Sequence, residues 1–321
     1  MKILVTGGAG FIGSHLVDWL INDGHQVVVW DNLSTGKKEN VNPRAEFHQY
    51  DVAHQLQVDL DFEVIFHMAA LARIQPSFDH PFTTHDVNVT GTVNMLEKAR
   101  LCGARFVYPG SSSFYHNPHA NPYTCTKWIG EEYCKMYHEV FGVPVAIARF
   151  FNVYGPRQIE EGAYATVIGI FEKQMREGKP LTITWAGKQR RDFTHVSDIV
   201  SALILMGQKD LCGEIFNLGT NVNFSINEVA GIFKLNAGIF EEAGIFDVSP
   251  HDLYLMLKES SEVVYLPRRP GEAINTLADI KFTTEKLGWK PRVSLRDYIA
   301  RVVREMEPDP PQMGLFLRSK T

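Results

Sequence analysis

Cysteine is scarce in this chain. Its four residues, Cys102, Cys125, Cys134 and Cys212, contain no CxxC pair. A disulfide framework is therefore excluded, and free thiols in a reducing cytoplasmic setting are expected. Twelve histidines yield no HExxH-like spacing, so no metal site is expected. Basic runs are missing beyond doublets such as Lys37-Lys38 and Arg268-Arg269, and the net charge is -5. That excludes the electrostatic footprint of a nucleic-acid binder. No stretch reaches the ~20 apolar residues of a membrane span. The opening MKILVTGGAG has too short an apolar run for a signal-peptide core.

What is present is a chain of 321 residues, 45% of them hydrophobic, enough for a large core and two lobes. Short apolar strands are predicted at Lys2 to Thr6, Gln26 to Trp30, Glu63 to His67, Ala104 to Tyr108 and Val143 to Arg149. Helices are predicted at Ser14 to Asp23 (with His15, Leu16, Trp19 and Leu20 on one face), near Asn88 to Leu101, and at Tyr123 to Phe141. Continuously apolar strands alternating with helices imply an α/β chain, a Rossmann-type doubly wound parallel sheet. Beyond Asn152 the spacing loosens, and strand-like LTIT (Leu181 to Thr184) and EIFN (Glu214 to Asn217) sit among helices. A smaller mixed C-terminal lobe is expected. The division is 1–151 for a dinucleotide-binding domain, with about 192–220 returning to it, and 152–191 plus 221–321 for a substrate domain. Around 235–260, GIF recurs at Gly231, Gly238 and Gly244, and a helix-turn-helix insert is expected there. The tail from Glu307, EPDPPQ, is expected to fray.

Two motifs carry chemistry. The first is TGGAGFIG, Thr6 to Gly13, between the first strand and first helix. Gly7, Gly10 and Gly13 allow a tight turn, close approach to a pyrophosphate and helix-on-strand packing, with Phe11 and Ile12 opening the helix. The helix N-terminus supplies unpaired N–H groups and a positive dipole. Asp31 ends the second strand roughly 20 residues on, where an acid accepts bonds from ribose hydroxyls and repels a 2′-phosphate. NAD is thus favoured over NADP. The second motif is SSSFYHNPHANPYTCTK, Ser111 to Lys127. Tyr123 and Lys127 lie one helical turn apart on one face. The ammonium would favour the phenolate and make the tyrosine a base. A serine from the preceding turn would hydrogen-bond the same substrate oxygen.

The GxxGxxG cradle with YxxxK resembles the extended short-chain dehydrogenase/reductases, in particular the nucleotide-sugar epimerases and dehydratases. The order of TGGAGFIGSH, DNLSTG, HMAALARIQPS, NVTGT, SSSFY, YTCTK, RFFNVYGPRQ, RRDFTHVSDI, FNLGT, RRPGE and LGWKP carries that resemblance over almost the whole chain. It implies a catalytic set of Ser111, Tyr123 and Lys127, with Ser112 the alternative serine if the register slips by one. For the cofactor it implies Asn32, Ser34, Thr35 and Gly36 in DNLSTG, and Asp51 and Val52 at the adenine. His67, Ala69, Ala70, Asn88 and Phe150 would line the cleft, and Lys127 would bond the nicotinamide ribose. For the substrate it implies Asn152, Arg191 and Arg269 on a nucleotide diphosphate, Glu272 on the uridine ribose, and Thr276 beside the sugar. For Arg191, an ion pair with the adjacent Asp192 competes with that role.

Water elimination in this family needs an acid pair after the catalytic serine, and Ser112 and Ser113 stand there instead. The resemblance therefore implies C4 epimerisation of UDP-glucose and UDP-galactose through a 4-keto sugar. A small Thr276 extends this to the N-acetyl forms. UDP-glucuronate 4-epimerase or decarboxylase chemistry is the enzymatic alternative, and an NAD-sensing regulator the non-enzymatic one. A homodimer through the helices near Asn88 to Leu101 and Tyr123 to Phe141 is also implied. The chain departs from the pattern at His116, which replaces a glycine, at Phe150, and in the short HNPHANP link, expected to draw back the wall of the sugar pocket.

Overall fold

The computed structural model describes residues 1–54, 61–208, 210–238 and 250–306. Its first half runs β1 (Lys2–Thr6), α1 (Phe11–Asn22), β2 (Gln26–Asp31), β3 (Glu46–Gln49), β4 (Val64–His67), α2 (Ile74–Asp79), α3 (Pro81–His85), α4 (Gly91–Cys102), β5 (Arg105–Ser111), α5 (Pro122–Phe141) and β6 (Val145–Phe150). The second half runs β7 (Asn152–Tyr154), α6 (Val167–Arg176), β8 (Leu181–Thr184), β9 (Arg190–His195), α7 (Val196–Gln208), β10 (Ile215–Leu218), β11 (Asn223–Ser225), α8 (Ile226–Asn236), α9 (Pro250–Glu259), β12 (Val263–Leu266), α10 (Lys281–Leu287) and α11 (Leu295–Met306).

Seven parallel strands form one sheet in the order β10-β6-β5-β4-β1-β2-β3. Successive residues of its central strands enter opposite cores. Ile3, Val5, Val27 and Val29 join Leu16, Leu203 and Met206 on the face of α1 and α7. Leu4, Val28 and Trp30 join Met95, Leu96 and Cys134 on the face of α4 and α5. Both faces are covered, which is why these strands read as unbroken apolar runs. A third core, with Phe171, Ile183, Val229, Phe233 and Tyr298, lies among α6, α8, α11 and the two small sheets, β11-β9-β7 and β12-β8. Among the described residues no helix is long and apolar enough to cross a membrane.

Several sequence expectations shift. On α1 the buried face holds Leu16, Val17, Leu20 and Ile21, and Trp19 is exposed, because α7 packs one position round from the anticipated stripe. The second long helix is preceded by a π-helical turn, Asp86–Thr90. β5 runs on to Ser111 through a Pro-Gly pair that reads as a turn. Beyond the Phe66–Val107 pairing β5 has left β4 and keeps only β6 as a neighbour, so Pro109 interrupts no ladder with β4. The edge strand β3 and the short strands β7, β9 and β11 carry too few apolar residues to be read from periodicity. Of the expected helix-turn-helix, α8 and α9 flank 239–249, which lie outside the described residues, as does the tail from 307.

The chain steps outward from β1 to β2 and β3, then returns to β4 on the other side of β1. In such a sheet a crevice opens at the C-terminal ends of the strands flanking this switch point.

Candidate active site

A cleft of about 730 Å³ occupies that crevice and continues toward the third core. At one end is the glycine turn. Gly7 has φ +68°, donates its N–H to the Trp30 carbonyl at 2.7 Å, and has no room for a Cβ, which would sit 2.6 Å from the Ala69 nitrogen. A Cβ on Gly13 would fall on the Gly7 carbonyl. At Gly10 a Cβ would meet only the Gly7 carbonyl, at 3.1 Å, so its outward side is open to a ligand. α1 starts with no side-chain cap and no acid in its first turn, leaving the N–H groups and positive dipole for an incoming phosphate. These features fit a dinucleotide pyrophosphate.

Asp31 is nearly buried and accepts from the Ala9 N–H at 3.0 Å and the Leu33 N–H at 2.8 Å, which hold its carboxylate against the cleft. Phe11, Ile12, Asn32, Ser34, Thr35, Val52 and Phe150 also line it, as do Ala69 and Ala70. Four anticipated contacts do not line it: His67 and Asn88 are buried behind the wall, and Asp51 and Gly36 are half-exposed beside it. Asp51 accepts from the Asn32 amide at 3.0 Å and so orients a lining residue. Gly36 lies against Ala9. His67 is buried between the Thr6 and Thr92 hydroxyls, at 2.8 and 3.2 Å, and burial drives its pKa down to about 3. Asn88 bonds both the N–H and the carbonyl of Leu71, and donates to the Thr126 hydroxyl on α5. It ties the loop after β4 to the helix that carries Tyr123.

At the middle of the cleft, Ser111 ends β5 and Tyr123 opens α5. Asn121 caps α5 through the Thr124 N–H at 2.8 Å, with Pro122 in the first turn. The Tyr123 hydroxyl donates to Ser111 Oγ at 3.3 Å, and that oxygen also accepts the Ser113 N–H. The register thus brings Ser111, not Ser112, to the tyrosine, while Ser112 and Ser113 line the adjoining wall. Lys127 Nζ donates to the Pro109 carbonyl at 2.9 Å. Burial lowers its pKa to about 8, with Glu131 pulling the other way. Burial raises the Tyr123 pKa, opposed by the Ser111 bond and by the field of Arg73. The Arg73 field thus reaches the phenol, while Lys127 Nζ is engaged by the Pro109 carbonyl.

Toward the third core, Asn152, Arg191, Arg269, Glu272 and Thr276 all line the cleft. Arg191 is free of the rival pairing, because the Asp192 carboxylate is taken by Thr220, Asn221 and Ala278. Arg269 and Glu272 approach to 4.0 Å. Thr276 Oγ1 accepts from the Asn152 amide and the Asp192 N–H, both at 3.3 Å. His116 and Asn121 of the short link border the cleft. Sequence reasoning passed over Arg73, Tyr164 and Arg268, which also line it. Arg73 stands inside the quoted HMAALARIQPS, and its position after the switch-point strand was the available signal.

Comparison with known proteins agrees with this geometry. The model of the NAD dependent epimerase/dehydratase family matches residues 3–219. The chain is 35% identical to a UDP-glucose 4-epimerase of Mycolicibacterium smegmatis over 94% of its length and 97% of that protein's. It is likewise 35% identical to UDP-glucuronic acid decarboxylase 1 of Arabidopsis thaliana, over 95% of its length and 69% of that protein's. The crystal structure of UDP-glucose 4-epimerase with UDP-glucose from Thermotoga maritima superposes with a TM-score of 0.81 at 32% identity, covering 95% of this chain and 98% of that one. The glycine cradle, the Tyr123–Ser111 pair and these matches together show that the chain belongs to the NAD-dependent epimerase/dehydratase family, with NAD as its cofactor.

Proposed function

We propose that the protein is a C4 epimerase of a UDP-linked hexose, working through a 4-keto sugar. The observation that carries this reading is the hydrogen bond from Tyr123 to Ser111 inside one cleft with the glycine cradle. In it, Tyr123 takes the proton of the sugar 4-hydroxyl while Ser111 holds the same oxygen and stabilises charge developing there. Bound NAD supplies the acceptor, and then the donor, of the hydride from C4. Lys127 reaches the ribose next to the ring, and the charge of Arg73 favours the phenolate. Gly7, Gly10, Gly13 and the start of α1 hold the pyrophosphate, and Asp31 the adenosine ribose. Arg191 and Arg269 grip the UDP diphosphate, with Glu272 on its ribose. Anchoring the nucleotide leaves the small sugar free to present either face.

Epimerisation is favoured over water elimination because, among the described residues lining the cleft, the carboxylates are Asp31 and Glu272, and neither bonds Tyr123 or Ser111. Thr276, small and with its hydroxyl already engaged, leaves space beside the sugar for an N-acetyl group. We read 1–151 with 192–220 as the NAD-holding part and the remainder as the nucleotide-sugar-holding part, acting in the cytoplasm as a homodimer through α4 and α5.

The test is incubation of the purified protein, with no cofactor added, with a panel of UDP-sugars, and chromatography of the products. A 4-epimer from at least one member is expected. Conversion that requires added NADH or NADPH, with a reduced sugar as product, would overturn the reading in favour of a reductase.

A further inference from the structure

The charge of the cleft is uneven. Among its described lining residues Asp31 and Glu272 are the carboxylates, set against five cations. Four of those cations have a use or a partner. Lys127 donates to Pro109, Arg191 and Arg269 stand with Glu272 at the nucleotide end, and Arg268 lies 4.7 Å from the Trp185 ring centre. Arg73 differs. It extends from the loop after β4, where its Nε donates to the Tyr164 carbonyl and its Nη1 to the Ala72 carbonyl, each at 2.9 Å. Both acceptors are neutral, and no described carboxylate comes within 4.0 Å of it. A guanidinium has five N–H donors, so a ligand finds several of them uncommitted. Arg73 is half-buried, and a guanidinium partly withdrawn from water without a counter-charge gains from an anion in the right place.

The location says which anion. The loop that carries Arg73 is fastened to α5 on either side of it, Leu71 through Asn88 to the Thr126 hydroxyl and Ser77 Oγ accepting the Tyr123 N–H at 3.1 Å, so Arg73 and its anchor Tyr164 line the reacting end of the cleft. The diphosphate has its own arginines elsewhere. In a hexuronate the carboxylate is borne by C5, the carbon next to C4, so a group beside Tyr123 meets it directly. Planar guanidinium and carboxylate match as a two-bond fork. We propose that Arg73 binds a carboxylate on the sugar, which makes a UDP-linked hexuronic acid the substrate class of this site. The inference rests on the 4-epimerase reading above.

The experiment compares UDP-glucuronate with UDP-glucose by total consumption, counting both the 4-epimer and any pentose formed by loss of CO2 from the 4-keto acid. The wild type is expected to favour the acid in kcat/KM by about 10- to 100-fold, the value of a charge-assisted pair. In Arg73→Met that ratio is expected to collapse toward one, whatever the rate on the neutral sugar, and Arg73→Lys to restore part of it. A wild type that prefers UDP-glucose, or a ratio unchanged in Arg73→Met because both sugars lose equally, would make Arg73 a strap between loops and overturn the inference. Failure to consume either sugar, with no 4-epimer from the rest of the UDP-sugar panel, would sink the epimerase reading itself. The shift in melting temperature of the NAD-loaded wild type with each sugar then still decides the role of Arg73. A larger shift with UDP-glucose overturns it, and a larger shift with UDP-glucuronate supports it.

Discussion

Burial works against the charged forms of both Tyr123 and Lys127, raising one pKa and lowering the other to about 8. The pair is held there by specific bonds, Tyr123 to Ser111 and Lys127 to Pro109, rather than by attraction to each other. Behind them Glu131 meets Arg149 in a buried ion pair at 2.7 Å, and Arg149 also donates to the Tyr115 hydroxyl, which keeps the end of β5 in place. Loss of one member of such a pair costs about 3–5 kcal/mol. If Tyr123 is the base, Tyr123→Phe lowers turnover by roughly 10²–10⁴-fold while bound NAD is retained. Ser111→Ala is expected to cost about 10²–10³-fold. Conversion rates of the preferred UDP-sugar, with the NAD content of each variant read by absorbance, check both. An unaffected rate in Tyr123→Phe would refute the assigned base.

Among the elements, the turn from β1 into α1 was legible because its constraint is local. Gly7 takes a left-handed φ and Gly13 packs on the Gly7 carbonyl, constraints inside the turn that sequence spacing records directly, while the approach of Ala69 to Gly7 is a tertiary one. β5 was read too short, because Pro109 is tolerated only where β4 has ended, a fact of sheet pairing. Of the small sheets, β8 was anticipated as LTIT, but β7, β9, β11 and β12 escaped for a related reason, since these short strands are stabilised by neighbours distant in sequence. A prediction follows for the turn. Gly7→Ala strains a positive φ and pushes a Cβ onto the backbone of Ala69. NAD affinity, measured by calorimetry, is expected to fall about 10-fold or more, as one misplaced cradle contact costs ~1.4 kcal/mol or above. Gly142→Ala is the control. It has φ +69° at the end of α5 with open space around it, so it should lower melting temperature and spare NAD.

For the whole molecule, three cores and a continuous cleft place the cradle, the start of α5 and Arg191, Arg268 and Arg269 around one ligand space. The proposed homodimer belongs to this scale. The ends of α4 and α5 expose Leu101 at 67% and Phe141 at 50%, apolar surface that an interface would cover. Light scattering should return twice the chain mass of 36.3 kDa, and the double variant Leu101→Glu, Phe141→Glu should return it once. A wild-type mass of one chain would remove the dimer from the reading.

The sequence by itself determined the parallel sheet, the cradle and the placing of Tyr123 and Lys127 one turn apart on α5, because each depends on apolar runs or on residues within a turn of one another. Tertiary structure alone decided the rest. It selected Ser111 over Ser112 by where β5 ends, and freed Arg191 by giving Asp192 other partners. It also moved His67 and Asn88 behind the cleft wall and left Arg73 on the cleft lining with no described carboxylate to meet it. Each outcome depends on which distant segments approach, and the absence of a counter-ion is a property of a neighbourhood that no single stretch of the chain contains.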